Sequence, residues 1–193
     1  MNRFYNVIIG CFFLLITSAC NEPFEYKYND KPMQVSCSGA NEKLLNEALY
    51  SFFDDITVYY RSKSNDPSES GMSTYEAYAN YVYAGALGDA DYKSIVSEHT
   101  KNVMKELRKE TQLWDKKPAM SNLNYKSEFL NCLINNIKDK DMVATIQALT
   151  SANSMTPKLM ADRFRLSTKA ALVDSNYGMY IALDTYYQYL FDL

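Results

Sequence analysis

From Asn41 onward, apolar residues return every three or four positions, and this period constrains the fold more than any other feature of the chain. A first helix is predicted over about 41–61. There Leu44, Leu45, Ala48, Leu49, Phe52, Ile56 and Tyr59 form one stripe. A polar loop over 63–72, with Pro67 and Gly71, follows. The second helix opens on Ser73-Thr74-Tyr75-Glu76, a capping box in which hydroxyl and carboxylate each satisfy a backbone N–H of the first turn. It ends at Gly88, a residue free to take the left-handed conformation that stops helices.

A third helix is expected over about 91–114, with Tyr92, Ile95, Val96, His99, Val103 and Leu107 on one face, before Pro118 breaks the chain. A fourth covers about 122–138, with Tyr125, Phe129, Leu130, Leu133 and Ile137 inward. Asp139 or Asp141 can cap a fifth, which runs through Ala152. The sixth has Thr156 as N-cap and Pro157 at its first position, with Met155 and Met160 spaced for a hydrophobic staple. A last helix covers about 176–191. No strand-like alternation competes, and the helix starts fall at irregular intervals. The fold class is therefore all-α, a single bundle of about six or seven helices. With 193 residues, 47% of them hydrophobic and 22% charged, the chain can bury one core. A net charge of -3 and a pI near 5.2 lack the basic surplus of a nucleic-acid binder.

The N-terminus is of another kind. Arg3 precedes an apolar run over 7–16, too short to span a bilayer, and then Thr17, Ser18, Ala19 and Cys20. Ile16-Thr17-Ser18-Ala19-Cys20 resembles the lipobox of bacterial lipoproteins, with Thr17 where Leu is most common. The resemblance covers only these twenty residues. It implies that residues 1–19 are a signal peptide, and that Cys20 is diacylated, freed by cleavage and acylated again on its amino group. Several acyl chains anchor far better than one, at roughly 0.8 kcal/mol per buried methylene. A plain membrane helix or a secreted chain with a chance cysteine is the alternative. Residues 20–36, rich in polar residues and holding two prolines, read as the lipidated cysteine and a flexible tether, and 37–193 as the helical domain. Glu22 and Glu25 weakly resemble a surface-export signal and fit a solvated linker equally well.

Cys11 falls within the signal, which leaves Cys37 and Cys132. In an exported compartment they can form a disulfide, or stay as two buried thiols. No CxxC or Cys/His cluster suggests a metal.

His99, the one histidine, can be a general base or pH sensor, or a bundle-edge residue with one ring nitrogen bonded. A di-iron site needs Glu-x-x-His on two helices, and Glu98 adjoins His99 instead. Glu47, Asp54, Asp55 and Glu76 are the carboxylates available for glycan cleavage, or they are helix faces and caps. The chain has 17 tyrosines, and Tyr177, Tyr180, Tyr186, Tyr187 and Tyr189 crowd the last helix. That helix is apolar on more than one side, so it is either central in the bundle or docked on a partner.

The reading is a lipid-anchored helical binding module of a bacterial envelope, facing periplasm or cell surface, as an accessory subunit or immunity-type protein. The five tyrosines are the candidate partner surface. The expected partners are the membrane, through lipid on Cys20, and an envelope protein. No catalytic residue, metal or cofactor is assigned. The alternatives are a carboxylate-dependent enzyme on cell wall or glycan, and a carrier of a small apolar ligand.

Overall fold

The computed structural model describes residues 23–65, 71–118, 120–191 and 193. The expected signal peptide and the expected lipidation site Cys20 lie outside them. All regular structure among the described residues is helical. The elements are α1 (Glu42–Lys63), α2 (Thr74–Leu87), α3 (Tyr92–Ile95), α4 (Glu98–Leu107), α5 (Glu128–Asn135), α6 (Lys140–Ser151), α7 (Pro157–Leu166), α8 (Thr168–Val173), α9 (Ser175–Ala182), a π-helical turn (Leu183–Tyr187) and α10 (Gln188–Leu190).

Side chains near each helix end fix most of the boundaries. Asn41 accepts from the N–H of Leu44 to start α1. Ser73 and Glu76 form the full capping box of α2, and Gly88 stops it at φ 82, where a side chain would be strained. Asp139 starts α6 by accepting from Met142. Pro157 begins α7, and Met155 and Met160 are both buried beside it, as a staple requires.

The described segments outnumber six or seven because three expected helices are divided: 91–114 into α3 and α4, the helix that starts at Pro157 into α7 and α8, and 176–191 into α9, the π-helical turn and α10. Val96 takes an extended conformation that ends α3, and Ser97, extended as well, accepts from Thr100 to cap α4. Residues 108–118 and 120–127 are not helical either. Trp114 donates its ring N–H to the carbonyl of Leu107 at 2.6 Å, satisfying the end of α4. Leu113 and Asn124 pair across a narrow loop, as do Asp115 and Asn122.

The core is organised around the run from α9 to α10. Tyr177, Met179, Tyr180, Ile181, Ala182, Leu183, Tyr186 and Tyr187 have no exposed surface. This run packs on α1, α2, α5 and α8. Close approach is needed at Gly178, where a Cβ would lie 2.8 Å from the carbonyl oxygen of Ala171. Phe52 of α1 meets Tyr81 at 5.3 Å and Tyr186 at 5.4 Å between ring centroids, the spacing aromatic pairs favour.

The segment before α1 corrects the expectation of a flexible tether: residues 23–37 form a strap docked on α1. Lys27 donates its backbone N–H to Glu47 at 2.6 Å, and Tyr28 does so at 3.1 Å. Asn46 accepts from the N–H of Val35 at 3.1 Å and donates to its carbonyl at 2.8 Å. Tyr50 donates to the carbonyl of Pro32 at 2.8 Å. Val35 is buried. The strap ends in a covalent bond: the sulfurs of Cys37 and Cys132 are 2.10 Å apart, joining it to α5 as a disulfide.

The bridge closes a loop with a sequence separation of 95, which should stabilise the fold by about 4 kcal/mol through the unfolded chain. Replacing both cysteines with alanine is expected to lower the free energy of denaturant unfolding by about that amount, and reductant should do the same to the native chain. A loss below about 1 kcal/mol would show that the bridge adds little.

Candidate functional site: a cleft backed by a buried aspartate

The tyrosines of the last helix do not form the expected surface. Tyr177, Tyr180, Tyr186 and Tyr187 are completely buried, and only Tyr189 is partly exposed. The cause is the helix's central place. With neighbours on all sides, tyrosine tips reach acceptors inside the protein. Tyr186 donates to Asp55 at 2.8 Å, Tyr187 to the carbonyl of Ala48 at 2.8 Å, and Tyr177 bonds Ser167 at 2.6 Å.

The carboxylates considered for catalysis are held by the protein's own donors. Glu47 takes two strap amides and also His99 Nε2 at 2.7 Å. Asp54 accepts from Lys27 Nζ at 2.7 Å and the Tyr28 hydroxyl at 2.9 Å, and the hydrogen-bonded cation holds its carboxyl below the usual range against the opposing effect of burial. Asp55 accepts from Tyr186 and from the N–H of Ser97. Glu76 serves the capping box. His99 sits at the bundle edge, with the ring of Phe24 stacked at 6.1 Å and that of Tyr28 edge-on at 6.0 Å.

Asp184 was not singled out in the sequence, and the structure puts it at the centre. It lies in the π-helical turn with no exposed surface. Such turns recur at functional sites because they widen the helix and re-aim its groups. Side-chain donors converge on the carbonyls here. Gln188 Nε2 donates to Asp184, Tyr81 and Tyr92 donate to Thr185 at 2.6 and 3.0 Å, and Asn122 donates to Gln188 at 3.2 Å. The Asp184 carboxyl accepts from the Tyr125 hydroxyl at 2.5 Å through Oδ1. Its Oδ2 and the hydroxyl of Tyr180, one turn earlier, are both buried without a well-formed hydrogen bond. A lone charged residue, Asp184, in the run 177–191 was the available signal.

The same loop that supplies Tyr125 lines two adjoining hollows. The larger is a cleft of about 610 Å³ between the loop, the start of α7 and the last helix, with Leu87, Pro118, Met120, Lys158 and Tyr189 in its walls. The smaller, about 170 Å³, has Tyr125, Lys126, Thr150 and Met155 among its lining. Met120 and Ser121 belong to both. Ser121 donates to Gln188 Oε1 at 2.6 Å, and Gln188 Nε2 in turn donates to the backbone carbonyl of Asp184, so the cleft wall is hydrogen-bonded to the π-helical turn. Among the described residues, no group of three or more His, Cys, Asp or Glu side chains is placed to hold a metal ion. None of the described helices is long and apolar enough to cross a membrane.

Comparison with protein-family models, curated proteins and solved structures finds no significant match to this chain.

Burial pushes the Asp184 carboxyl up to about 7 from its ordinary 3.8, against the opposing hydrogen bond from Tyr125. The unfolded chain ionises this group at the ordinary value, while the folded chain keeps it neutral. Its contribution to stability is therefore full below pH 3.8 and is lost as pH rises through about 7. Asp184→Asn, of the same shape and always neutral, should flatten that decline and raise the denaturant midpoint most at neutral pH. An unaltered pH slope would mean that Asp184 ionises normally in the folded protein.

Proposed function

We propose that this chain is a lipid-anchored binding module of a bacterial envelope, an accessory subunit or an immunity-type protein, whose protein partner occupies the cleft between the 118–122 loop and α7. The observation that carries the reading is the cleft itself, about 610 Å³ with polar and apolar walls, rimmed by Met120 at 63% exposure. Exposed methionine beside a concave surface is a common contact element, because its flexible thioether adapts to the opposing shape. The buried bonds of Glu47 and Asp55 and the Lys27 pairing of Asp54 support binding over hydrolysis, since each carboxylate is already committed to the strap or the core. The anchor rests on the order of charge, apolar run, small residues and Cys20 at the N-terminus.

Two measurements test the two halves. Cys20→Ala should remove the lipid mass and move the chain from the membrane to the soluble fraction; retention of both lipid and membrane would refute the anchor. For the cleft, the tagged protein is extracted from its own membranes in mild detergent, and what accompanies it is identified by mass spectrometry. A stoichiometric partner is expected. Met120→Glu or Lys158→Glu, both at exposed positions, should weaken it about tenfold or more, while Leu166→Glu, 78% exposed outside the cleft, should not. Full binding by the cleft variants would place the contact elsewhere.

A further inference from the structure

We infer that the strap is the protein's membrane-facing surface, resting on the lipid headgroups of the bilayer that receives the acyl chains of Cys20, with the cleft turned away from it. The inference rests on the anchoring proposed above, and adds an orientation to it.

The first argument is length. An unstructured tether would let the domain drift and rotate freely above the membrane. Here the chain is fixed to the bundle from its first described residues: Phe24 stacks beside His99 of α4, and Lys27 and Tyr28 are bonded to Glu47 of α1. Three residue steps separate Cys20 from Pro23, and a fully extended chain covers at most about 11 Å over them. The headgroup layer of one leaflet is itself about 5–7 Å thick. The start of the strap therefore cannot leave the headgroup region by more than a few ångströms, whatever path the linking residues take.

The second argument is chemistry. Phe24, Tyr26 and Tyr28 are half-buried on the strap. Lys27 lies 5.0 Å from the ring of Tyr28, and Lys43 lies 4.1 Å from that of Tyr26. Aromatic rings beside lysines suit the boundary between headgroup and acyl chain, where one end of each side chain is apolar and the other wet. Two exposed apolar side chains extend this face: Met33 on the strap at 54%, and Val58 at 62%, one turn beyond Asp54 on the strap side of α1. The charges of the region, Lys27, Lys31 and Lys43 against Glu25, Asp30, Glu42 and Asp54, leave no basic surplus. The partner surface is therefore a neutral lipid headgroup layer, and no anionic lipid is required.

The third argument is layering. The strap lies on α1, α2 packs against α1, and α7 packs against α2. At helix spacings of 8–10 Å, two such steps set α7 off from α1 by up to about 20 Å on the side that α2 covers. The cleft, walled by Pro157 and Lys158 of α7, is then held out toward the aqueous compartment and a partner there.

The test uses the full lipidated chain, purified from membranes and reconstituted into phosphatidylcholine vesicles whose acyl chains carry bromine near the headgroup. Reporter tryptophans are placed at exposed positions, as Met33→Trp, Val58→Trp and Leu159→Trp, with the signal of Trp114 subtracted from unsubstituted protein. Bromine quenching at positions 33 and 58 should exceed that at position 159 on α7 several-fold. Equal quenching at all three, or none at any, in protein that floats with the vesicles overturns the orientation and leaves the anchor standing. Protein without lipid mass that fails to float overturns the anchor, and the orientation with it.

Discussion

The burial of the last helix on all its sides is the constraint on which the rest of the structure depends. A helix in that place must send its polar groups to partners inside the protein or bear the cost of leaving them unsatisfied, as at Tyr180 and Asp184 Oδ2, because water cannot reach it. Its tyrosines do this by spanning to neighbouring elements: Tyr187 to the backbone of α1, Tyr186 to Asp55 on the same helix, and Tyr177 to Ser167 between α7 and α8. Asp55 also accepts from the N–H of Ser97, so a single carboxylate ties the last helix, α1 and the start of α4. Each such bond adds about 1 kcal/mol net, and a partner left unsatisfied costs about 1–3 kcal/mol, so the network specifies one arrangement more than it adds stability.

The same rule explains the two features that local pattern does not announce. Strap amides that a helix or sheet would satisfy are taken instead by Asn46 and Glu47, polar residues on an inward stretch of α1. The π-helical turn finds side-chain donors for its carbonyls in Gln188, Tyr81 and Tyr92. Both are places where backbone geometry departs from the regular and side chains close the account.

Helix starts and stops were legible wherever the signal is local. The Ser73–Glu76 box, Gly88, Asp139 and Pro157 mark boundaries in the structure as they do in the sequence. The interruption at Ser97 was not, because serine inside an apolar period reads equally well as a solvated helix position; its selection as a cap depends on Asp55, 42 residues earlier. The docked strap was illegible for a related reason: its partners lie 11 to 20 residues away, and polar residues on a helix fit a solvated face equally well. The tyrosine surplus gave two readings, core or interface, and only packing from several elements separates them. The cleft depends on the loop after α4 meeting α7 and the last helix, and no spacing within either segment carries that meeting. The anchor at Cys20 is read from sequence order alone.

A near-ultraviolet titration of the tyrosines, with the fold followed in parallel by circular dichroism, tests the central place of the last helix most directly. Burial raises the hydroxyls of Tyr78, Tyr81, Tyr180, Tyr186 and Tyr187 well above the ordinary 10.0. The account predicts two populations: one that ionises reversibly while the helices stay intact, and a buried set that ionises only as the helices unfold. One reversible transition of all tyrosines near 10, with the helices intact throughout, would contradict it.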